Sequence, residues 1–311
     1  MPTTLSATDG YVDLQVNGFA GVDFNGDGLT DEALHRACLQ LQDDGAAGFL
    51  PTVVTAEIDA MANRLARLAE LRRADSLAGN MILGAHIEGP FISNEPGYVG
   101  AHPPAAVREA NLDELQRLLD AAEGLTRIVT LAPEHDPDLR LTRFLVDQGI
   151  IVAAGHCDPS VEQLQAAIDA GLSMFTHLGN GCPQQMNKHD NIIQRALSLS
   201  DKLWISFIAD GAHIPFPALG NYFRAANLEQ CVIVSDAISA AGLGPGRYPI
   251  GNQTVYVGED RVPRADEGDH LVGSATSVSQ MAENLRRDLR LSEDAIGGLT
   301  SIGPRAILKG T

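Results

Sequence analysis

Three apolar segments of this chain end in residues that can bind a metal ion. The segment ending at Glu88 runs into Gly-Pro, which cannot continue a strand, and two others end at His156 and His177. A carboxylate at the end of a buried strand is costly unless something positive lies against it. One glutamate and two histidines, with water in an open position, are a usual ligand set for zinc or another divalent ion. If the three ends meet in the fold, the sequence predicts a metal site.

A second carboxylate, Asp236, ends another apolar segment. It could act as a general acid and base by accepting a proton from water and passing it to a leaving group. The same residue could instead cap the helical segment that follows it. His86, two residues before Glu88, is interpreted as a hydrogen-bonded residue that supports the site from inside the strand.

The elements that must bring these residues together alternate regularly along the chain. Strand-length apolar runs are followed by helical patterns, which indicates a parallel sheet with right-handed crossovers. The predicted strands are 11–17, 48–55, 81–88, 127–132, 150–156, 173–177, 204–209 and 231–235, and the predicted helices between them are 31–43, 58–73, 112–122, 139–148, 161–170, 192–199 and 217–226.

Eight strand-helix units favour a (β/α)8 TIM-type barrel, in which chemistry takes place at the carboxyl ends of the strands. The competing fold is an open doubly wound sheet. That fold would require a Gly-x-Gly-x-x-Gly turn after the first strand, and the residues at 18–21 do not supply one. After the eighth strand we predict a small hairpin near 245–263 and further helices within 277–308, all in a single domain spanning 1–311.

The composition excludes several classes of partner. A net charge of −18 over 311 residues disfavours nucleic acid and acidic membrane surfaces. The four cysteines form no Cys-x-x-Cys pair, the N-terminus lacks a basic and apolar leader, and no apolar run reaches the ~18 residues of a membrane helix. These features predict a soluble cytoplasmic protein with reduced thiols.

The motifs in their order resemble the N-acetylglucosamine-6-phosphate deacetylases of the amidohydrolase superfamily. The resemblance covers most of the chain. The matching motifs are Asp-Leu-Gln-Val-Asn-Gly at 13–18, His-Ile-Glu-Gly-Pro at 86–90, Thr-Leu-Ala-Pro-Glu at 130–134, Gly-His at 155–156, Thr-His-Leu-x-Asn at 176–180, Ala-Asp-Gly-x-His at 209–213, Val-Ser-Asp-Ala at 234–237 and Gly-Ser at 273–274.

The resemblance implies a role for each matching residue. Glu88, His156 and His177 match the metal ligands, and Asp236 matches the catalytic acid and base. His102 matches a loop histidine that helps to polarise the amide carbonyl.

The resemblance also bears on the number of ions and on the substrate. Gln15 and Asn17 stand where many superfamily members have His-x-His and bind two metal ions, which implies one divalent ion per subunit here. Zinc is the expected ion, with iron, manganese or cobalt as alternatives. Asn180, with the adjoining Gly181, and His213 match residues that contact the sugar or its phosphate.

The chain departs from the family pattern in two places. Family members carry a small β-sandwich from segments flanking the barrel, and we expect it to be absent here, where the chain begins almost at the first strand. The phosphate-binding arginine of the family would fall near Lys188, with Arg195 as the next candidate. A lysine can hold phosphate as a point charge but lacks the bidentate fork of arginine. Family members are commonly homodimers in which the neighbour reaches the phosphate, and we expect a homodimer here.

The sequence therefore predicts a metal-dependent hydrolase that converts N-acetylglucosamine 6-phosphate to glucosamine 6-phosphate and acetate. One alternative is a related amidohydrolase that acts on a non-phosphorylated N-acyl sugar or an N-acyl amino acid. The other is a non-catalytic sugar-binding barrel, against which the complete Glu-His-His-Asp set argues.

Overall fold

Eight parallel strands form the central sheet of this protein in a computed structural model that describes residues 10–250, 253–265 and 271–310. Their order in the sheet follows the chain, and each neighbouring pair is parallel. The strands are β1 (Tyr11–Val16), β2 (Ala46–Val54), β3 (Ala85–Glu88), β4 (Thr126–Leu131), β5 (Ile151–Ala154), β6 (Met174–Phe175), β7 (Trp204–Phe207) and β8 (Cys231–Ile233).

The first and last strands meet through the segment that follows β8. Val16 forms a parallel bridge with Ala237, and the Asn17 backbone N–H donates to the Ala237 carbonyl at 2.7 Å. The sheet is thereby nearly closed, which confirms the predicted (β/α)8 barrel.

A buried carboxylate on the first strand binds the segment that follows the last strand. Asp13 Oδ1 accepts the backbone N–H groups of Ser235 at 3.1 Å and Gln15 at 3.2 Å. Burial raises the pKa of Asp13 to about 7, although its hydrogen bonds to Ser235 act in the opposite direction. Asp13 therefore ties the first strand to the segment that follows the last strand, next to the predicted site.

Helices follow the strands as the sequence indicates, and polar residues cap several of them. Ser160 and Gln163 form a reciprocal capping box, and Thr30 and Asn111 accept N–H groups of their own first turns. The helices are α1 (Asp31–Asp43), α2 (Ile58–Ala74), α3 (Ser76–Met81), α4 (Leu112–Ala121), α5 (Arg140–Asp147), α6 (Val161–Asp169), α7 (Ile192–Ser198), α8 (Phe216–Ala225), α9 (Val278–Asp288), α10 (Glu293–Gly297) and α11 (Gly303–Lys309), with a π-helical segment, Gly298–Ile302, before the last.

The predicted third strand, 81–88, is wrong in its first half. Asp75 accepts the Ala78 N–H and starts the short helix α3, which contains Met81. The regular strand begins only at Ala85, and Ile82 makes one isolated bridge to Phe49. A local helix cap therefore decides the structure of this segment, whose apolar composition would suit either a strand or a helix.

Polar side chains form a layer inside the barrel below its mouth. His86 Nε2 lies 2.7 Å from Thr130 Oγ1, which lies 2.7 Å from Thr176 Oγ1. The other imidazole nitrogen of His86 contacts the Leu14 carbonyl at 3.2 Å. Burial lowers the pKa of His86 to about 4, so the ring is neutral at pH 7. This agrees with the interpretation of His86 as a supporting residue.

A small antiparallel sheet lies after β8, where the hairpin was predicted. It consists of β9 (Gly246–Ile250), β10 (Gln253–Val257) and β11 (Pro263–Ala265), the last of which was not predicted. The hairpin turn at 251–252 lies outside the described residues. Val255 and Val257 pack with Ile238 and Val272 in a second apolar cluster.

None of the described helices is both long enough and apolar enough to cross a membrane.

Candidate functional site

Glu88, His156 and His177 converge at the carboxyl ends of β3, β5 and β6. Their side chains are buried, and one ligand atom of each lies within 4.8 Å of the other two. His177 Nε2 lies 2.8 Å from Glu88 Oε1, and His156 Nε2 lies 3.3 Å from the same oxygen. In the described parts of the chain, this is the one cluster of three such groups. The structure therefore brings together the three residues that the sequence singled out as ligands.

The chemistry of these three side chains fits a divalent cation. Burial alone would raise the pKa of Glu88, but the neighbouring imidazoles of His156 and His177 hold it well below its usual range. The Nδ1 atom of His156 lies 2.8 Å from the Tyr98 carbonyl, which can only accept, so Nδ1 carries the proton. In a neutral ring, Nε2 is then free to bind a metal, and such an outer partner is typical of metal-binding histidines.

Three of the site residues adopt a left-handed backbone. The φ angles are 51° for His156, 31° for His177 and 49° for Asp236. Such residues cost on the order of 1–3 kcal/mol each and persist where the surroundings determine them. The predicted strands ended at 156, 177 and 235, whereas the regular strands end two residues earlier at each place. The side chains therefore project from sharp turns above the strands.

Asp236 lies beside the Glu88–His156–His177 cluster and is held by two amides. Asn17 Nδ2 donates to Asp236 Oδ1 at 2.7 Å, and Gln15 Nε2 donates to the same oxygen at 3.2 Å. Gln15 Nε2 also donates to Glu88 Oε1 at 3.0 Å, so one amide bridges the two carboxylates. Burial, followed by the charge of Glu88, raises the pKa of Asp236. A carboxylate so placed and with a raised pKa is suited to accept and return a proton.

His102 reaches the cluster from the long loop between β3 and α4. Its Nε2 lies 3.2 Å from His156 Nε2, and the two rings meet edge to face with centroids 4.4 Å apart. Burial, and then the neighbouring His156, lower the pKa of His102 to about 3. The ring is therefore neutral at pH 7 and has one N–H available for a neighbouring acceptor.

Two predicted sugar-binding residues lie around the same mouth. Asn180 Nδ2 donates to the carbonyl of His177 at 3.1 Å, and His213 Nδ1 lies 2.7 Å from Asp210 Oδ2. Burial would raise the pKa of Asp210, but its hydrogen bonds with His213 keep it lowered. The charge of His213 in turn acts on Asp236. Asn180 and His213 thus belong to the neighbourhood of the metal cluster.

The two candidates for phosphate binding differ in their surroundings. Lys188 is exposed, on the loop between Gly181 and α7. Arg195 is occupied: its Nε lies 2.6 Å from Asp190 Oδ1, and its Nη1 lies 2.8 Å from Asp158 Oδ1. A guanidinium that already pairs with two carboxylates is a poor first candidate for a third anion. Lys188 therefore remains the better candidate of the two.

Two residues next to the site, Tyr98 and Asp158, could not be identified from the sequence. Tyr98 acts on His156 through its carbonyl, which every residue type possesses, so no sequence pattern could indicate this contact. Asp158 is an acidic loop residue like many others, and its partners come from distant parts of the chain.

Two glycines allow loops to pack directly on the ring of His156. A Cβ added at Gly181 would lie 2.7 Å from His156 Nδ1, and one at Gly100 would lie 2.9 Å from His156 Cε1. Both glycines have φ of +59°. Any larger residue at either position must displace the ring.

We expect Gly181→Ala to lower kcat/KM by about 10-fold or more, because the added methyl group moves a proposed metal ligand. Gly124→Ala is the matched control, since Gly124 has φ of +79° with no atom within 4 Å of an added Cβ. Both variants incur the cost of a left-handed alanine, ~1–2 kcal/mol. Melting temperatures of both variants measure the cost of the strained backbone, and steady-state rates measure the effect of displacing His156. Equal activity losses in the two variants would contradict the prediction.

Comparisons with known proteins agree on one group of enzymes. No protein-family model matches the chain. The N-acetylgalactosamine-6-phosphate deacetylase of Escherichia coli O157:H7 is 32% identical over 275 residues, covering 88% of this chain and 71% of the relative. The N-acetylglucosamine-6-phosphate deacetylase of Bacillus subtilis (strain 168) is 32% identical over 294 residues, covering 94% of this chain and 72% of the relative.

A solved structure also superposes closely on the whole fold. It is a mutant of the N-acetyl-D-glucosamine-6-phosphate deacetylase from Mycobacterium smegmatis in complex with N-acetyl-D-glucosamine-6-phosphate. The TM-score is 0.87 at 29% identity, and the match covers 96% of this chain and 77% of that one.

Proposed function

Because the chain belongs to the N-acetylglucosamine-6-phosphate deacetylase family, we propose that it is a metal-dependent hydrolase that converts N-acetylglucosamine 6-phosphate to glucosamine 6-phosphate and acetate. The observation that carries this proposal is the buried Glu88–His156–His177 cluster with Asp236 beside it. A buried carboxylate between two imidazole nitrogens is costly without a cation, and family membership supplies the reaction that such a cation would serve.

Glu88, His156 and His177 would hold one divalent ion per subunit, for which we propose zinc, with iron, manganese or cobalt as alternatives. When bound, the ion supplies Lewis acidity and lowers the pKa of water at the site. One ion rather than two is supported by Gln15 and Asn17, since their amides donate to the two carboxylates of the site.

Asp236 is the proposed general base and acid. Its Oδ1 is held by Asn17 and Gln15, so the carboxylate is oriented before substrate enters. It accepts a proton from the water that attacks the acetyl carbonyl and then returns the proton to the departing amine. Its raised pKa brings this exchange closer to neutral pH.

His102 is the proposed donor to the acetyl oxygen. Its ring is neutral and edge-on to His156, so its one N–H can point at negative charge that develops on the carbonyl oxygen. Asn180, Gly181 and His213 are the proposed sugar contacts, and Lys188 is the proposed phosphate contact. The exposed Lys188 would act as a point charge without the bidentate geometry of arginine.

A second candidate substrate is the C4 epimer, N-acetylgalactosamine 6-phosphate. It is favoured by the E. coli relative, which is named for that sugar and is as similar as the B. subtilis relative. The two sugars differ in the orientation of one hydroxyl group, and the same metal and proton chemistry serves both.

We expect kcat/KM for N-acetylglucosamine 6-phosphate to exceed that for N-acetylglucosamine by about 10–100-fold, the size of one or two charge-assisted hydrogen bonds. Acetate release from both sugars, from the galactosamine epimer and from an N-acyl amino acid would be measured with zinc, manganese, cobalt or iron added. Equal rates on the phosphorylated and plain sugars would favour the non-phosphorylated alternative. A metal-free, inactive protein that still bound sugar would favour the non-catalytic alternative and contradict the proposal.

We further propose a homodimer and a cytoplasmic location, with residues 1–311 acting as one barrel domain. The dimer rests on the family pattern, in which the neighbouring subunit reaches the phosphate. The location rests on the cysteines, all four of which are unpaired thiols.

A further inference from the structure

The first barrel strand contains one extra residue next to the proposed active site. Between two paired positions, residues 14–15 of β1 stand opposite a single residue of β2. An extra residue of this kind forms a β-bulge, which bends a strand and re-aims a side chain. The bulge includes Gln15, whose Nε2 donates to Glu88 Oε1 at 3.0 Å and to Asp236 Oδ1 at 3.2 Å. The backbone of the bulge therefore decides where this bridging amide lies.

Side chains from other parts of the barrel hold the backbone of the bulge. The Ser235 hydroxyl donates to the Gln15 carbonyl at 3.3 Å, and His86 Nδ1 lies 3.2 Å from the Leu14 carbonyl. A carbonyl only accepts, so His86 Nδ1 carries a proton and donates it. His86 lies on β3, which is not a neighbour of β1 in the sheet, so this bond crosses the interior of the barrel.

Two buried threonine hydroxyls fix the tautomer of His86. Thr130 Oγ1 lies 2.7 Å from His86 Nε2 and 2.7 Å from Thr176 Oγ1. The partners of the buried ring are a carbonyl and a hydroxyl, so the ring is neutral and its Nε2 accepts. Thr130 must then donate to Nε2 and accept from Thr176. The chain of hydrogen bonds thus runs in one direction, from Thr176 through Thr130 and His86 to the Leu14 carbonyl.

We infer that Thr130 is a positioning residue that acts on Gln15 through His86. Its hydroxyl keeps the proton on His86 Nδ1, and this N–H holds the Leu14 carbonyl. The adjoining Gln15 amide consequently stays between the two carboxylates of the site. Without the hydroxyl, the other tautomer of His86 turns a lone pair towards the carbonyl and repels it. The inference rests on the function proposed above, in which those two carboxylates bind the metal and transfer the proton.

The first test compares two variants of Thr130. Thr130→Val keeps the shape of the side chain and removes the hydroxyl. Thr130→Ser keeps the hydroxyl and removes the methyl group, which packs so closely that a Cβ added at Gly155 would lie 2.7 Å from it. At saturating Zn²⁺, we expect Thr130→Val to lower kcat for N-acetylglucosamine 6-phosphate by about 10-fold or more, because a misplacement of ~1 Å can cost about 10²-fold. KM should stay within about twofold of the wild-type value, and Thr130→Ser should retain kcat within about twofold.

The second readout is the affinity of the metal-stripped full chain for Zn²⁺ alone, measured by competition with a chromophoric chelator. Gln15 donates to Glu88, a proposed ligand, and loss of an outer hydrogen bond to a ligand typically costs 10–100-fold in metal affinity. We expect Thr130→Val to weaken Zn²⁺ binding by about 10-fold, and Thr130→Ser to bind within about twofold of the wild type.

A double-mutant cycle tests whether Thr130 acts through Gln15. Gln15→Met removes both bonds of the amide and should lower kcat by about 10-fold or more. In that background, Thr130→Val should lower kcat by no more than about twofold further, because both changes act along one path. Losses that multiply would show that Thr130 acts by another route, such as Thr176 and the adjoining His177, and would overturn the inference.

Thr142→Val is the matched control. Thr142, on α5, is equally buried, and its hydroxyl donates to Asp136 at 2.9 Å, outside the chain that leads to Gln15. This variant also loses a buried hydroxyl bond, but we expect its kcat and Zn²⁺ affinity to stay within about twofold of the wild type. An equal loss in Thr142→Val would overturn the inference, as would equal losses in Thr130→Ser and Thr130→Val.

The proposed function fails separately, and this inference with it, if the wild-type chain binds no divalent metal and releases no acetate. If the wild type binds Zn²⁺ and releases acetate while Thr130→Val behaves identically, only the positioning role of Thr130 is wrong.

Discussion

Asp236→Asn is expected to lower kcat for deacetylation by about 10³-fold or more while leaving the metal content unchanged. General acid and base catalysis contributes typically 10²–10⁴-fold, and here one residue is proposed to act in both steps. An amide of the same size cannot accept the proton of the attacking water or return it to the amine. The loss should therefore fall on kcat and leave substrate binding largely intact.

The hydrogen bonds around Asp236 make this variant a clean test. Asn17 and Gln15 both donate to Oδ1, and the carbonyl oxygen of an asparagine at this position can accept the same bonds. Steady-state rates with N-acetylglucosamine 6-phosphate and elemental analysis of the purified variant would be measured together. A variant with near-normal kcat would show that the proposed proton transfer is wrong.

Glu88→Gln is expected to remove the metal and to lower kcat/KM by at least about 10³-fold. Glu88 Oε1 is the common partner of His156, His177 and the Gln15 amide. Its replacement removes the only negative charge of the proposed ligand set, and a neutral amide is a far weaker ligand for a divalent ion. The metal content after dialysis should fall from about one ion per chain to nearly none.

Glu134→Gln is the matched control for Glu88→Gln. Glu134 also follows a barrel strand and has a pKa raised by burial, but it lies outside the metal cluster. A glutamine there can still accept the Asp158 N–H, so metal content and activity should be retained. If Glu88→Gln kept its metal, or if Glu134→Gln lost it equally, the assignment of Glu88 as a ligand would be wrong.

The contrast between Asp236 and Glu88 separates two functions of neighbouring carboxylates. The asparagine variant should hold metal without turnover, whereas the glutamine variant should lose both. Their environments already differ: two neighbouring histidines lower the pKa of Glu88 against the effect of burial, whereas burial and a like charge raise that of Asp236. Two carboxylates whose pKa values are pushed apart in this way commonly have different roles.

The barrel and the location of its site could be predicted from the sequence because both depend on short-range patterns. Apolar runs alternating with helical periodicity fixed the number and order of the eight strands. In such a barrel the strand ends lie at one mouth, so Glu88, His156 and His177 had to approach one another wherever their strands ended. Asp236 ended another apolar segment, and the family motifs added His102; the structure places both beside the same cluster.

The segments that the sequence predicted less well depend on competition between local signals and distant contacts. Residues at 81–83 are apolar enough for a strand, but the Asp75 cap starts a helix that takes in Met81. The strands at His156 and His177 end early because these residues adopt left-handed turns, which neighbouring strands stabilise. The Ser206 hydroxyl, for instance, accepts the His177 N–H at 2.7 Å.

The sequence by itself thus determined the architecture, the proposed metal ligands and the proposed proton carrier, because periodicity and residue type are properties of single segments. Only the tertiary structure decided how those groups are oriented. The Tyr98 carbonyl holds His156, and Arg195 is committed to Asp158 and Asp190 instead of standing free for phosphate. These contacts join loops far apart in the chain, and one of them uses a backbone atom that no residue type reveals.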